Sequence, residues 1–195
     1  MKRILITGAT GYLGSHIVRL CLERGDDVVC LVRDKTHLKR IEHLQDQAAI
    51  ISMEKLESHI DEMQIDTVIH TACAYTRNGN TLEDVLMGNL LFPLRILDLA
   101  DRCNIKRWIN AGSCLPLMVD SYAMSKNQFC QWGNLYAQTR QIQFINLQLE
   151  HFYGADAPDS HFLVKVVEKL RKNEELKLTA GTQKRDFIFR CVACV

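Results

Sequence analysis

Short β-branched runs alternate along this chain with longer stretches in which apolar residues recur every three or four positions. The short runs predict strands at residues 3–7, 27–32, 48–52, 66–71, 106–111 and 142–148. The longer stretches predict helices at about 12–24, 36–46, 54–63, 81–103, 121–138 and 160–172. The strands are apolar at consecutive positions, so they are buried on both faces, as in a parallel sheet covered by helices on each side. With right-handed crossovers this is an α/β, doubly wound parallel sheet whose ligand crevice lies at the C-terminal strand edges. Three prolines and no repeat, low-complexity tract or flexible linker predict one compact unit.

The first strand runs straight into Thr7-Gly8-Ala9-Thr10-Gly11-Tyr12-Leu13-Gly14, where the first helix begins. Backbone N–H groups at a helix N-terminus lack intrahelical partners and carry partial positive charge, which suits a pyrophosphate. Gly8 permits the tight turn, Gly11 lets the main chain approach phosphate, and Gly14 lets the helix press on the sheet. The spacing is G-x-x-G-x-x-G, and its position between an apolar strand and an amphipathic helix marks a Rossmann-type dinucleotide site. At the tip of the second strand Arg33 precedes Asp34. An arginine there pairs with a 2′-phosphate, which favours NADP(H); an acidic residue would accept from a 2′-hydroxyl, so NAD(H) is the alternative.

Composition narrows the partners. With 24 basic and 23 acidic side chains there is no electrostatic footprint for nucleic acid or an anionic membrane. No stretch approaches the roughly 18 apolar residues of a membrane span, and the apolar run after Met1-Lys2-Arg3 is too short for a signal peptide. A cytoplasmic location follows by default. Six of the eight cysteines fall at apolar positions, where a reduced thiol acts as a small hydrophobe, and Cys191 with Cys194 has metal-pair spacing but no accompanying cluster.

Tyr122 and Lys126 stand four residues apart at the start of a predicted helix and share one face. A neighbouring ammonium favours the phenolate, so Tyr122 could exchange a proton with a carbonyl or alcohol oxygen; the bland alternative is an exposed helical pair. Ser113, at the end of the preceding strand, adds a hydroxyl at the crevice.

These residues, with His70-Thr71-Ala72, Asn89 and Arg185-Asp186-Phe187-Ile188, resemble the extended short-chain dehydrogenase/reductase family in its nucleotide-sugar epimerase/dehydratase branch. The resemblance implies that Ser113, Tyr122 and Lys126 are catalytic, with Tyr122 and Lys126 also at the cofactor. It implies that Gly8, Thr10, Gly11, Tyr12, Leu13 and Gly14 form the pyrophosphate turn, that Ala72 and Asn89 belong to the cofactor site, and that Asn89 also supports the active-site helix. Arg185 is similar to the arginine that grips the diphosphate of a nucleotide-sugar substrate. Asn89 can equally be a satisfied helix-interior amide, Arg185 a surface ion pair, and His70 a plain strand residue. Relatives pair through the fourth and fifth helices, so a homodimer is implied.

Only eight residues separate Ser113 from Tyr122, and Cys114-Leu115-Pro116 replaces the acidic pair used for dehydration. Gln148 and His151 stand where much of the family has Arg and Asn. With the short loop, the Leu149-Glu150-His151-Phe152-Tyr153-Gly154 phrase resembles the reductases that make CDP-abequose and related dideoxy sugars. The implied reaction is NADPH reduction of a 4-keto-6-deoxy sugar nucleotide, with C4 epimerisation as its relative and His151 near the substrate. By this resemblance residues 1–195 are a cofactor domain whose residues 150–195 begin the substrate region, and the family's C-terminal lobe is largely missing. Residues 190–195 match nothing the resemblance leads one to expect, as a truncation would leave them. A catalytically silent sensor or scaffold, or a nonfunctional remnant, is the competing reading.

Overall fold

The structure, a computed structural model, describes residues 2–33, 38–76, 79–182 and 184–189. It divides into two units, Met1–Leu149 and Glu150–Val195. In the first, six parallel strands are ordered β3-β2-β1-β4-β5-β6: β1 (Arg3–Thr7), β2 (Asp27–Leu31), β3 (Ala49–Ile51), β4 (Thr67–His70), β5 (Arg107–Ser113) and β6 (Gln143–Leu149). The order reverses between β1 and β4, the switch point at which a doubly wound sheet opens a crevice.

Alternate strand residues feed two cores. Leu5, Val29, Val68 and Trp108 face one side, where they meet Leu56 of α2 (Met53–His59), Ile96 and Leu97 of α4 (Phe92–Arg102) and Phe129 of α5 (Ser121–Thr139). Ile4, Ile6, Val28 and Cys30 face the other, against Val18 and Cys21 of α1 (Tyr12–Glu23) and Ile41 and Leu44 of the segment that follows β2. That segment corrects an expectation. A helix was expected over 36–46; residues 34–37 lie outside the described residues, and the rest contains a single 3₁₀ turn at Glu42–Leu44. Ile41 and Leu44 are three positions apart, so one 3₁₀ turn already buries both and no longer helix is needed.

The helix expected at 81–103 is real but not uniform. It runs as α3 (Leu82–Leu86), a π turn at Met87–Leu91 and then α4, with Thr81 and Asp84 forming a capping box at its start. The second unit holds a two-stranded parallel sheet, β7 (His151–Tyr153) with β8 (Phe187–Phe189), and the helix α6 (Phe162–Arg171). Periodicity missed both three-residue strands. Within it His151 stacks on Phe187 at 5.5 Å, and Phe162, Leu170, Leu178 and Phe189 are exposed.

Where α1 leaves β1, the chain is tightly determined. Gly8 has φ +72°, and a Cβ there would sit 2.5 Å from the Ala72 amide nitrogen. A Cβ on Gly14 would overlap the Gly8 carbonyl oxygen, backbone that has nowhere to move. Replacing Gly14 with Ala is therefore expected to lower stability by about 1–3 kcal/mol, read as a fall in the urea midpoint.

Candidate active site

The Gly8–Gly14 turn opens α1 with Gly11 as N-cap, and no side chain caps the helix. Gly11 is exposed, its N–H donates to the Gly8 carbonyl at 2.9 Å, and the α1 entrance is left as a backbone cradle at the sheet's C-terminal edge. First-turn amides of a helix have no intrahelical acceptor, so an anion is the natural cap for such an end. Thr10, Tyr12 and Leu13 share this turn, and Arg40 lies over the Tyr12 ring at 5.6 Å. Arg40 is a basic group that reading the sequence did not single out, because only folding carries the segment after β2 back to the α1 entrance. Arg33 follows β2 at the same sheet edge and is exposed; Asp34 lies outside the described residues.

The loop after β4 is tied to the end of β1. Both the amide (3.1 Å) and the hydroxyl (2.8 Å) of Thr71 donate to the Thr7 carbonyl, and Thr7 Oγ1 meets His70 Nδ1 at 2.7 Å. This brings the Ala72 backbone against Gly8. His70 is fully buried among Phe92, Trp108 and Phe129 and has no partner for Nε2. Burial, and secondarily the charge of Lys126, hold its pKa well below the usual 6.5, so it is neutral and structural.

Asn89 sits in the π turn, fully buried. Its Oδ1 accepts from the Ala74 amide at 2.7 Å, while its Nδ2 donates to the Ala74 carbonyl at 2.9 Å and to Ser125 Oγ at 3.1 Å. Ser125 in turn donates to the Tyr122 carbonyl at 2.9 Å. One amide thus joins the β4 loop to the first turns of α5. Its amide is satisfied within the helix interior and at the same time bonded to α5.

Asp120 caps α5, accepting from the Ala123 amide at 2.7 Å, and so fixes where Tyr122 and Lys126 start. Lys126 is 2% exposed; burial lowers its pKa, against the opposing influence of Cys73 and Cys130. Tyr122 lies against the β4 loop, its ring stacked on Tyr75 at 4.5 Å. Ser113 ends β5, and its Oγ accepts from the Leu115 amide at 3.2 Å; Asn127 of α5 donates to the Leu115 carbonyl at 3.3 Å. The Ser113 loop is thereby fastened to the helix that carries Tyr122 and Lys126. His151 and Arg185 belong to the second unit, where the His151 amide donates to the Asp186 carbonyl at 3.2 Å, so strand pairing brings the two close in space; both are exposed. Cys191 and Cys194 lie outside the described residues, and among the described ones no group of three or more potential metal ligands occurs. Among them also, no helix is long and apolar enough to cross a membrane.

Sheet order, glycine turn and helix pair define a nucleotide-cofactor fold of the short-chain dehydrogenase/reductase type. The chain belongs to the NAD dependent epimerase/dehydratase family, which it matches over residues 4–117 and 118–190. It is 31% identical over 195 residues to a CDP-abequose synthase of Salmonella muenchen, covering 96% of this chain and 66% of the relative. The chain therefore spans about two thirds of that relative's length. Among solved structures, the Bordetella bronchiseptica enzyme WbmH in complex with NAD+ superposes with a TM-score of 0.79 at 25% identity, over 97% of this chain and 68% of that one. The UDP-glucuronic acid 4-epimerase of Bacillus cereus reaches 0.82 at 19% identity, over 97% and 70%, a likeness of fold.

Two outcomes follow. Replacing Asn89 with Leu strands the Ala74 amide and carbonyl and the Ser125 hydroxyl, and should cost roughly 2–4 kcal/mol in a denaturant titration. As pH falls below 6.5 the unfolded chain protonates His70 while the folded chain does not, so stability is lost on acidification. Urea midpoints at about pH 7.5 and about pH 5 should show a smaller acid loss for His70→Gln than for the parent.

Proposed function

We propose that this chain is the cofactor-binding and catalytic part of a sugar-nucleotide oxidoreductase that favours NADP(H) and reduces a 4-keto-6-deoxy sugar nucleotide. The observation that carries the reading is the buried link from Asn89 through Ser125 to the helix turn bearing Tyr122 and Lys126, beside the glycine cradle. The cradle fits the cofactor: Gly8 and Gly14 exclude side chains, and the exposed, uncapped end at Gly11 suits a diphosphate. When bound, the nicotinamide supplies or accepts hydride.

Tyr122 acts as the acid, giving its proton to the carbonyl oxygen as that oxygen gains charge; in the alcohol direction it takes the proton back. Lys126 supplies the positive charge that makes this proton easier to release, and its burial keeps water from screening the effect. Ser113, whose Oγ accepts from the Leu115 amide and so keeps its own proton to give, donates to the same oxygen and holds it toward Tyr122. Arg33, exposed at the tip of β2, meets the 2′-phosphate, and this basic group supports NADP(H) over NAD(H). Within the second unit Arg185, just before β8, lies near His151 of β7, a pair whose chemistry suits a diphosphate and a sugar. Similarity to CDP-abequose synthases makes CDP-linked 4-keto-6-deoxy sugars the first substrates to test. Leu82, Met87, Leu91, Trp132 and Leu135 expose apolar surface on the 82–102 helix and α5, which supports a homodimer through these helices.

Nicotinamide fluorescence during titration with NADPH and NADH should show saturable binding, tighter for NADPH; no binding of either at millimolar concentration removes the reading. The Tyr122→Phe variant should keep NADPH binding and lose turnover by about 10²–10⁴-fold. Full turnover in that variant would exclude the assignment.

A further inference from the structure

We propose that Tyr75 is a positioning residue for Tyr122, stacked on its ring and donating a hydrogen bond to its phenol oxygen when that oxygen carries charge. The inference rests on the reading of Tyr122 as the acid–base group and adds a residue to it. The two ring centroids are 4.5 Å apart with 25° between their planes, a stacked pair. A side-chain hydrogen bond joins the two tyrosines, and a second joins Tyr75 to Cys73.

Tyr75 is held to this position by its own backbone. Thr71 is fastened to Thr7, Ala74 is bound on both its amide and carbonyl by Asn89, and the Tyr75 carbonyl accepts from Asn80 Nδ2 at 2.9 Å. These bonds hold the backbone at Tyr75 itself and at the residues before it. The phenol it meets is equally constrained, since Tyr122 lies in the capped first turn of α5.

Two adjacent phenols cannot both ionise easily, so the partner that keeps its proton becomes the donor. Burial first, then the charges of Cys73 and Tyr122 and the hydrogen bonds to both, push the Tyr75 hydroxyl well above the ordinary phenol range. Tyr75 therefore stays protonated and offers a charge-assisted bond to a Tyr122 phenolate. Among the described residues, the titratable groups facing Tyr75 are Cys73 from its own loop and Tyr122 from α5. Lys126 acts one turn further along, beside Cys73 and His70.

The test is a tyrosine titration in the whole protein, labelled with [¹³Cζ]tyrosine and followed by NMR without cofactor or substrate. Five signals are expected, and those of Tyr122 and Tyr75 are identified by their loss in Tyr122→Phe and Tyr75→Phe. The Tyr75→Phe change keeps the ring and removes only the donor. It should raise the Tyr122 midpoint by roughly half a unit or more. In the parent protein the Tyr75 signal should remain un-ionised to higher pH than the Tyr122 signal. An unmoved Tyr122 midpoint, or Tyr75 ionising first, overturns the proposal. Because the readout needs no ligand, failure of NADPH to bind would remove the proposed reaction and leave the phenol pairing standing. An unmoved midpoint in a protein that does bind NADPH would remove the pairing alone.

Discussion

Three stretches of backbone meet at Gly8, and the rest of the sheet's C-terminal edge is built outward from that meeting. The start of α1 presses in at Gly14, the exit of β4 presses in at Ala72, and the chain between β1 and α1 must turn through a left-handed conformation to pass between them. Each approach is closer than a side chain allows, so the glycines are demanded by space before any ligand is considered. The threonine ties from Thr7 to His70 and Thr71 hold the same junction by hydrogen bonding. A cradle made of backbone is rigid in a way that side chains are not, and rigidity is what an anion site at a helix entrance needs.

The second organising element is polar and internal. His70, Asn89, Ser125 and Lys126 are all buried, in a region otherwise filled by Trp108, Phe129 and Phe92. Burying one ammonium next to a histidine is tolerable only if the histidine stays neutral, and the apolar rings around His70 keep it so. Lys126 lies in the same buried region, and burial lowers its pKa against the opposing influence of Cys73 and Cys130. Asn89 divides its amide between the Ala74 main chain and the Ser125 hydroxyl, which fastens the loop after β4 to the first turns of α5.

Much of this was legible in the sequence, and the exceptions have physical causes. Consecutive apolar β-branched residues announced the buried strands, and the glycine turn between strand and helix announced the cradle, because both are local signals. Tyr122, Lys126 and Asn89 were singled out through spacing and family resemblance, and the structure places Asn89 in contact, through Ser125, with the helix that carries the other two. The helix expected at 36–46 was misread because its apolar residues look periodic while one 3₁₀ turn suffices to bury them. The strands at 151–153 and 187–189 are three residues long, too short for alternation to register. Tyr75 and Arg40 were missed for a different reason. Each gains its significance from a ring far away in sequence, Tyr122 and Tyr12, and nothing in their neighbours signals that encounter.

The π turn at Met87–Leu91 has an evolutionary implication. A π turn accommodates one residue more than the regular winding, so removing it would rotate everything downstream by about 100° relative to everything upstream. Asn89 reaches Ala74 from within that turn, and Gly88 leaves room for the Ala74 side chain close by. Insertions and deletions in the crossover from β4 to α4 are consequently not independent. A change of length on either side of Asn89 would carry its amide away from Ala74 or from Ser125.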